Sequence, residues 1–326
     1  MPTTSALSRR LIMLSLPDLA PLVARAQTPY PTRPISLVVP WAPGGTTDIL
    51  ARILSEPLRA ALGQPVVIEN KTGASGNTGS AIVARATPDG YTLLFGVMTT
   101  HTANEALFAN PPFRGIEDFT AIALLAFVLN TMVVHPSVPA NNVKEFIDYA
   151  RANPGKVNYA SAGAGSHNQL CGALMERMAG IKMVHVPYRG GAPAVADTVA
   201  GNTQLLFSAG TQTLDHVRGG RLKLLAVTEA RRSRLLPDVP TVAETLPGYQ
   251  MTVWYGAFGP AGLPTELTRR LNGEINRALK LPEIEQRLAA MGVEVVNETP
   301  DSMSALLAVE RNQLTKLIKD MGITAQ

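Results

Sequence analysis

Short β-rich runs alternate with helix-like segments along most of this chain, and the alternation limits the fold more than any other feature. The helix-like segments carry apolar residues three or four positions apart, as in Leu170, Leu174 and Met178. Such alternation predicts α/β layers with mainly parallel sheets. The strand-like runs lie at residues 35–39, 66–68, 91–95, 132–134, 157–159, 183–186, 204–207 and 222–227.

The chain has 326 residues, which suggests about two domains of roughly 150 residues each. Two apolar, strand-like segments, 121–134 and 249–260, could carry the chain from one domain to the other. A chain that crosses at the first and returns at the second would insert residues 128–250, as domain 2, into a discontinuous domain 1. Domain 1 would then consist of residues 27–127 and 251–326, and the last 60 residues are almost wholly helical in pattern. Two successive domains are the alternative.

The first 26 residues are typical of an export signal rather than of a folded element. Arg9 and Arg10 precede a short apolar stretch at 11–16, and Ala24-Arg25-Ala26 gives the small-x-small pattern of a secretory cleavage site. The arginine pair also fits a twin-arginine signal loosely. We expect cleavage near Gln27 and a periplasmic location, reached by the Sec or the twin-arginine route. An ordinary N-terminal tail is the alternative.

Composition excludes several classes of protein. Hydrophobic residues make up 46% of the chain and charged residues 17%, which excludes a disordered chain. The 29 basic and 25 acidic residues show no dense cluster, so no nucleic-acid partner is expected. Cys171 is the only cysteine, which excludes an internal disulfide and a cysteine zinc cage. The five histidines show no i, i+4 pair, so we predict no metal site.

Three strand-like runs end in glycine-rich turns that lead into helices. These turns lie at 43–48, 161–167 and 188–192. Glycines let backbone amides approach a ligand closely, and the positive end of a helix dipole favours an anion. Because ligands of α/β sheets lie beyond the carboxyl ends of strands, the three turns predict a cleft between two domains.

An enzyme is the main alternative to a binding protein. Ser166 and His167 could serve an exported hydrolase or transferase acting on a carboxylate substrate. However, neighbouring residues on a helix point about 100° apart, so they rarely form a nucleophile–base pair. Ser166 could instead cap its helix together with Gln169, and Cys171 is predicted to be a small buried hydrophobe. A structural or adhesive protein would have no need of glycine turns at strand ends.

The chain resembles the Bug family, the periplasmic solute-binding receptors of tripartite tricarboxylate transporters. The resemblance covers residues 30–326, with the motifs in the family's order. The matching segments are YPTRPISLVVP at 30–40, PGGTTD at 43–48, LGQPVVIEN at 62–70, PDGYTLL at 88–94, VHVPYRG at 184–190, LPDVPTVAE at 236–244 and FGPAG at 258–262.

The resemblance implies a periplasmic-binding-protein (type II-like) fold, in which two α/β domains close on a small carboxylate. It implies no catalysis and no cofactor, with the membrane components of a tripartite tricarboxylate transporter as partners; we expect a monomer. Backbone amides, hydroxyls and ordered waters would hold the carboxylate. The implied ligand-binding positions are Trp41, Gly44, Gly45, Thr46, Thr47, Asp48, Thr99, Thr100, Ser161, Gly163, Gly165, Ser166, His167, Tyr188, Gly190, Ala192 and Ser208.

The sequence departs from the family's pattern in the predicted pocket. Trp41 stands where Phe is frequent, and Gln204 and Ser208 replace two common aspartates. A buried ammonium group needs a carboxylate or several acceptors. The loss of these aspartates therefore predicts a carboxylate ligand without a required ammonium group.

Overall fold

The computed structural model describes Met1 and residues 30–324, so the predicted cleavage site near Gln27 lies outside the described residues. The strands are β1 (Ile35–Val39), β2 (Val66–Asn70), β3 (Thr92–Val97), β4 (Phe119–Val128), β5 (Asn130–Val134), β6 (Asn158–Ser161), β7 (Val184–Pro187), β8 (Leu205–Ala209), β9 (Lys223–Val227), β10 (Val253–Pro260) and β11 (Val293–Val295).

The helices alternate with these strands over most of the described chain. They are α1 (Thr46–Leu62), α2 (Asn77–Ala84), α3 (Asn104–Leu107), α4 (Val143–Ala152), α5 (His167–Ala179), α6 (Gly191–Val199), α7 (Gly210–Arg218), α8 (Thr265–Leu279), α9 (Pro282–Ala290) and α10 (Pro300–Met321). Among residues 30–324, no helix combines the length and apolar content needed to cross a membrane.

The strands form two separate sheets. The first sheet has the order β11-β4-β10-β3-β1-β2, and the second has the order β7-β6-β8-β5-β9. Only Leu129 separates β4 of the first sheet from β5 of the second, and the chain returns between β9 and β10. The apolar segment predicted at 121–134 is therefore two strands, one in each sheet.

The expectation of mainly parallel sheets is wrong. In the described residues four strand pairings are parallel and five are antiparallel. The reason lies in β5 and β10, the strands that follow the two crossings between sheets. Each begins between the sheets and runs outward, opposite to β8 and β3, which end there. The C-terminal region is mostly helical, as expected, but it also contains β11. This strand has three residues, which is too short for an alternating apolar–polar pattern to be recognised in the sequence.

A buried apolar core supports both sheets. All five residues of β5 and all eight of β10 are buried, because these strands lie in the interior of their sheets. Trp254 is fully buried, and its Nε1 donates to Glu310 Oε2 at 2.7 Å. The core holds the sheets rigid, so that their loop ends form a defined cavity between them.

Candidate functional site

A cavity lies between the two sheets, at the point where the chain passes from one to the other. The centres of water-sized molecules can occupy about 70 Å³ of this cavity, which is room for several ordered waters or for the polar groups of a compact ligand. The starts of β5 and β10 and the starts of α1, α5, α6 and α7 form its walls. The lining residues are Trp41, Gly45, Thr46, Thr47, Val97, Thr99, Asn130, Ala162, Ser166, His167, Asn168, Gly191, Ser208, Ala209, Gln212, Val253 and Tyr255.

The four helices that begin at this cavity lack side-chain caps. Their N-cap residues, Gly45, Ser166, Gly190 and Ala209, make no capping side-chain hydrogen bond. Of the other described helices, α4 and α10 are capped by Asn142 and Thr299, whereas α2, α3, α8 and α9 also lack side-chain caps. The first amides of an uncapped helix need a partner from outside the helix and carry the positive end of its dipole. Four such ends around one cavity make it suited to an anion.

No charged side chain contributes to the cavity wall within the described residues. Its only ionisable side chains are His167 and Tyr255. Burial lowers the pKa of His167 to about 3 and raises the pKa of Tyr255 above its usual range, so both are neutral at pH 7. A bound anion would therefore be stabilised by amide dipoles and neutral donors rather than by an ion pair.

Several buried polar atoms of the cavity wall have no hydrogen-bond partner among the residues described. They are Trp41 Nε1, Asn130 Oδ1, Ser166 Oγ and His167 Nδ1. A buried polar atom left unpaired costs about 1–3 kcal/mol, and most such atoms are paired in folded proteins. Four of them on one cavity indicate a polar ligand or ordered water that supplies the missing bonds.

The structure brings eight of the predicted site residues to this cavity. The eight are Trp41, Gly45, Thr46, Thr47, Thr99, Ser166, His167 and Ser208.

The interpretation of Ser166 as a helix cap is wrong. Ser166 is the N-cap residue of α5, but its Oγ makes no capping hydrogen bond, and Gln169 Oε1 accepts from the Gly165 amide at 2.6 Å.

Other predicted site residues turn their polar groups into the protein. Asp48 accepts from the Gly44 amide, from Arg52 Nε and from Asn70 Nδ2 at 2.9–3.0 Å, which lowers the pKa of its carboxyl despite burial. Thr100 Oγ1 donates to Val97 O at 2.8 Å, and Ser161 Oγ bonds His185 Nε2 at 2.6 Å. The lining of the cavity does not include these side chains because their hydrogen bonds stabilise the turns beneath it.

The remaining predicted glycines and neighbours shape the rim. Gly163 and Tyr188 line an adjoining opening together with Trp41, and Tyr188 OH donates to Asp197. Gly44, Gly165, Gly190 and Ala192 do not line the cavity. A Cβ at Gly44 would lie 3.9 Å from that of Ala192, and one at Gly190 would lie 3.2 Å from that of Ala42. These positions let turns from the two sheets approach each other.

Sequence reasoning missed nine lining residues. Asn130 and Gln212 carry the informative signal, because each is a side-chain amide near the start of a strand or helix. Tyr255 and Val253 reach the cavity because β10 begins there. The nine are Val97, Asn130, Ala162, Asn168, Gly191, Ala209, Gln212, Val253 and Tyr255.

Hydrogen bonds join the two sides of the cavity. Thr46 at the start of α1 and Thr211 in α7 are bonded through their Oγ1 atoms at 2.8 Å. Ser75 Oγ donates to the main-chain oxygen of Ala164. The layers built on the two sheets are therefore in contact across the cavity, and the structure has a closed cleft.

Ser166 and His167 do not form a nucleophile–base pair. Ser166 Oγ has no partner in the described part of the chain, and His167 Nε2 lies 3.3 Å from Cys171 Sγ. Cys171 is fully buried, as predicted, and burial raises the pKa of its thiol well above the usual range. The polar groups of the cavity thus form a set of hydrogen-bond donors and acceptors around a ligand-sized space.

Two α/β layers with an anion-suited cavity between them define a two-domain solute-binding protein. The model of the tripartite tricarboxylate transporter family receptor matches residues 50–323. A relative from Pseudomonas sp. (strain P51), the UPF0065 protein in the tcbD-tcbE intergenic region, is 36% identical over 298 residues, covering 91% of this chain and 88% of the relative. The chain belongs to this receptor family, which confirms the resemblance found in the sequence.

Solved structures of similar proteins confirm the periplasmic-binding-protein fold. The periplasmic binding protein BugD superposes with a TM-score of 0.86 at 35% identity, covering 91% of this chain and all of BugD. Rpa4515 of R. palustris, solved with adipate, gives a TM-score of 0.87 at 33% identity, covering 90% and 99% of the two chains. MatC of Rhodopseudomonas palustris, solved with malate, gives 0.84 at 32% identity, covering 89% and 100%.

Proposed function

We propose that this protein is an extracytoplasmic receptor that captures a small carboxylic acid between its two domains and delivers it to a tripartite tricarboxylate-type transporter. The observation that carries the proposal is the set of four uncapped helix N-termini around one uncharged cavity. These amides can bind carboxylate oxygens without a cationic side chain. Ser166 Oγ, Trp41 Nε1 and His167 would add neutral donors.

The relatives support the same class of ligand. Adipate and malate, bound by the two R. palustris proteins, are both dicarboxylates. In this chain the described cavity lining holds no Asp or Glu that could pair with an ammonium group. The proposed ligand is therefore a mono- or dicarboxylate without a required ammonium group, with its body against Trp41.

Two units are proposed to move as the ligand binds. Residues 27–127 and 251–326 would form domain 1, and residues 128–250 domain 2, so that the chain crosses at Leu129 and again between β9 and β10. Two crossings permit a hinge while each sheet stays rigid. Saturation with ligand should reduce the radius of gyration measured by small-angle scattering.

The location and the partners follow from the family. An export signal in residues 1–26 would place the mature chain in the periplasm, where the membrane components of the transporter can reach it. The receptor is proposed to act as a monomer, without a cofactor and without catalysing a reaction, since the family and its structural relatives are solute-binding proteins.

A thermal-shift screen of the mature protein tests the proposal. The panel would contain succinate, adipate, malate, citrate and benzoate, with aspartate, glutamate and the corresponding amides as controls. A ligand that binds only the folded state raises the melting temperature, and the increase grows with the logarithm of the ligand concentration once that concentration exceeds the Kd. Stabilisation by at least one acid without an ammonium group is expected, and stabilisation by amino acids alone would contradict the ligand class.

A further inference from the structure

Three side chains of the second sheet's layer form a continuous series of hydrogen-bonding atoms behind the cavity wall. Asn130 Nδ2 lies 3.4 Å from Cys171 Sγ, and Cys171 Sγ lies 3.3 Å from His167 Nε2. The two ends of the series, Asn130 Oδ1 and His167 Nδ1, are two of the four buried atoms of the cavity wall that lack partners in the described chain. The series therefore connects two residues that line the cavity.

The orientation of the Asn130 amide is fixed by its neighbours. Thr228 Oγ1 donates to the main-chain oxygen of Met251 at 2.6 Å. It must therefore accept the hydrogen bond that joins it to Asn130 at 2.9 Å, which places the amide nitrogen on that side. The second N–H of this nitrogen donates to Cys171 Sγ, and Oδ1 is left free towards the cavity.

The donors and acceptors around Cys171 Sγ also indicate where the hydrogen of its thiol points. Cys171 Sγ accepts from Asn130, and the hydroxyl of Tyr249 donates to the main-chain oxygen of Cys171 at 2.9 Å. Because the buried thiol stays protonated, its S–H is free to donate to His167 Nε2. A neutral imidazole that accepts at Nε2 carries its hydrogen at Nδ1, and that hydrogen faces the cavity.

The other tautomer fits these contacts less well. With the hydrogen at Nε2, both His167 and Asn130 would donate to one sulfur, and the thiol hydrogen would be left with the Tyr249 hydroxyl, which already donates to the main-chain oxygen of Cys171. The lone pair of Nδ1 would then face the oxygen atoms of a bound carboxylate. A lone-pair repulsion of this kind raises the free energy of the complex.

We propose that Cys171 is a positioning residue that holds His167 in the neutral Nδ1–H form, so that the imidazole donates a hydrogen bond to the ligand carboxylate. The inference rests on the proposed carboxylate-binding function for its ligand, while the tautomer itself is a property of the free protein. All three residues belong to one layer, so domain closure does not create the series.

Nitrogen-15 NMR of the mature protein, labelled at histidine, tests the tautomer without any ligand. His167→Gln identifies the His167 signals among those of the five histidines. At pH 7 the wild type is expected to show the proton on Nδ1 of His167. Cys171→Ala should shift this population towards Nε2–H, whereas Cys171→Ser, which keeps a donor, should retain Nδ1–H. Nε2–H in the wild type, or an unchanged spectrum in Cys171→Ala, would overturn the proposal.

Calorimetric titration with the succinate, adipate and malate used in the screen gives the second readout. Cys171→Ala is expected to weaken the tightest of these acids about three- to tenfold, with Cys171→Ser closer to the wild type, and circular dichroism confirms folding of both. Wild-type affinity in Cys171→Ala would remove Cys171 from ligand binding. Failure of the wild type to bind any acid would refute the proposed function, independently of the tautomer.

Discussion

The hydrogen bond between Thr46 and Thr211 gives a direct test of cleft closure. The two Oγ1 atoms are 2.8 Å apart and come from α1 and α7, on opposite sides of the cavity. In an open cleft both hydroxyls would bond water instead. Thr211→Val keeps the shape of the side chain and removes this bond. Thr211 does not line the cavity, so its direct effect on ligand contacts is small.

The magnitude follows from the net value of one hydrogen bond, about 0.5–1.5 kcal/mol. Because the bond exists only in the closed form, its loss reduces the closed population by about two- to tenfold. The apparent Kd rises by the same factor, since the ligand must supply the missing free energy of closure. Thr211 is only partly buried, so the net value of its hydrogen bond, and with it the change in Kd, should lie in the lower part of this range. Calorimetry with the best ligand of the screen measures the change.

Thr213→Val is the matched control, because Thr213 lies in the same helix and its Oγ1 also bonds a threonine at 2.8 Å. That partner is Thr131 of β5, in the same layer, so the bond persists whether the cleft is open or closed. Thr213→Val should lower the free energy of unfolding by about 1 kcal/mol and leave ligand affinity unchanged. Equal affinities of Thr211→Val and the wild type, or equal weakening by both variants, would show that the Thr46–Thr211 bond does not stabilise the closed cleft.

Three further predictions concern the cavity, the core and the N-terminus. Ser166→Ala removes a buried hydroxyl that has no partner in the described fold, so it should weaken carboxylate binding about tenfold in calorimetry with little change in melting temperature; unchanged affinity would remove Ser166 from the site. Burial raises the pKa of Glu310 to about 7, above its value of about 4.5 in the unfolded chain, so its carboxyl favours folding increasingly as the pH falls through this window. As the pH falls from 7 to 4.5, the free energy of unfolding of Glu310→Gln should therefore drop relative to that of the wild type by up to about 1.4 kcal/mol per pH unit. Urea unfolding at pH 7.5, 6 and 5 measures this difference, and a difference that does not change with pH would count against the prediction. Mass spectrometry of periplasmic protein should find a mature terminus within a few residues of Gln27, and an intact Met1 terminus would exclude cleavage.

The strands and the glycine turns could be predicted from the sequence because their determinants are local. The β-rich run at 35–39 coincides with β1, and α1 begins directly after the predicted glycine turn, with no side-chain cap at Gly45. The directions of side chains in those turns could not be predicted. Thr100 follows β3 and Ser161 ends β6, at the same edge as cavity residues, yet their hydroxyls bond Val97 O and His185 Nε2 inside the protein.

The residues missed by sequence reasoning depend on long-range topology. Asn130 lines the cavity because the chain changes sheets at Leu129, and Tyr255 does so because β10 begins at the cleft and runs antiparallel to β3. The sequence indicates the two crossings only as the segments 121–134 and 249–260, because the local pattern does not encode the residue at which each strand begins or the direction in which it pairs. The same topology explains why the sheets are less parallel than the strand–helix alternation predicts.

Amide dipoles and neutral donors in this cavity are proposed to bind a carboxylate. Calorimetry of the mature protein with the best acid of the screen and with its amide isostere measures the contribution of the carboxylate charge. The two molecules share shape and apolar surface but differ in charge, while helix dipoles and charge-assisted hydrogen bonds act on the anion. The acid is predicted to bind at least about a hundredfold more tightly, a difference of roughly 2.7 kcal/mol. Equal affinities for the acid and the amide would contradict the account.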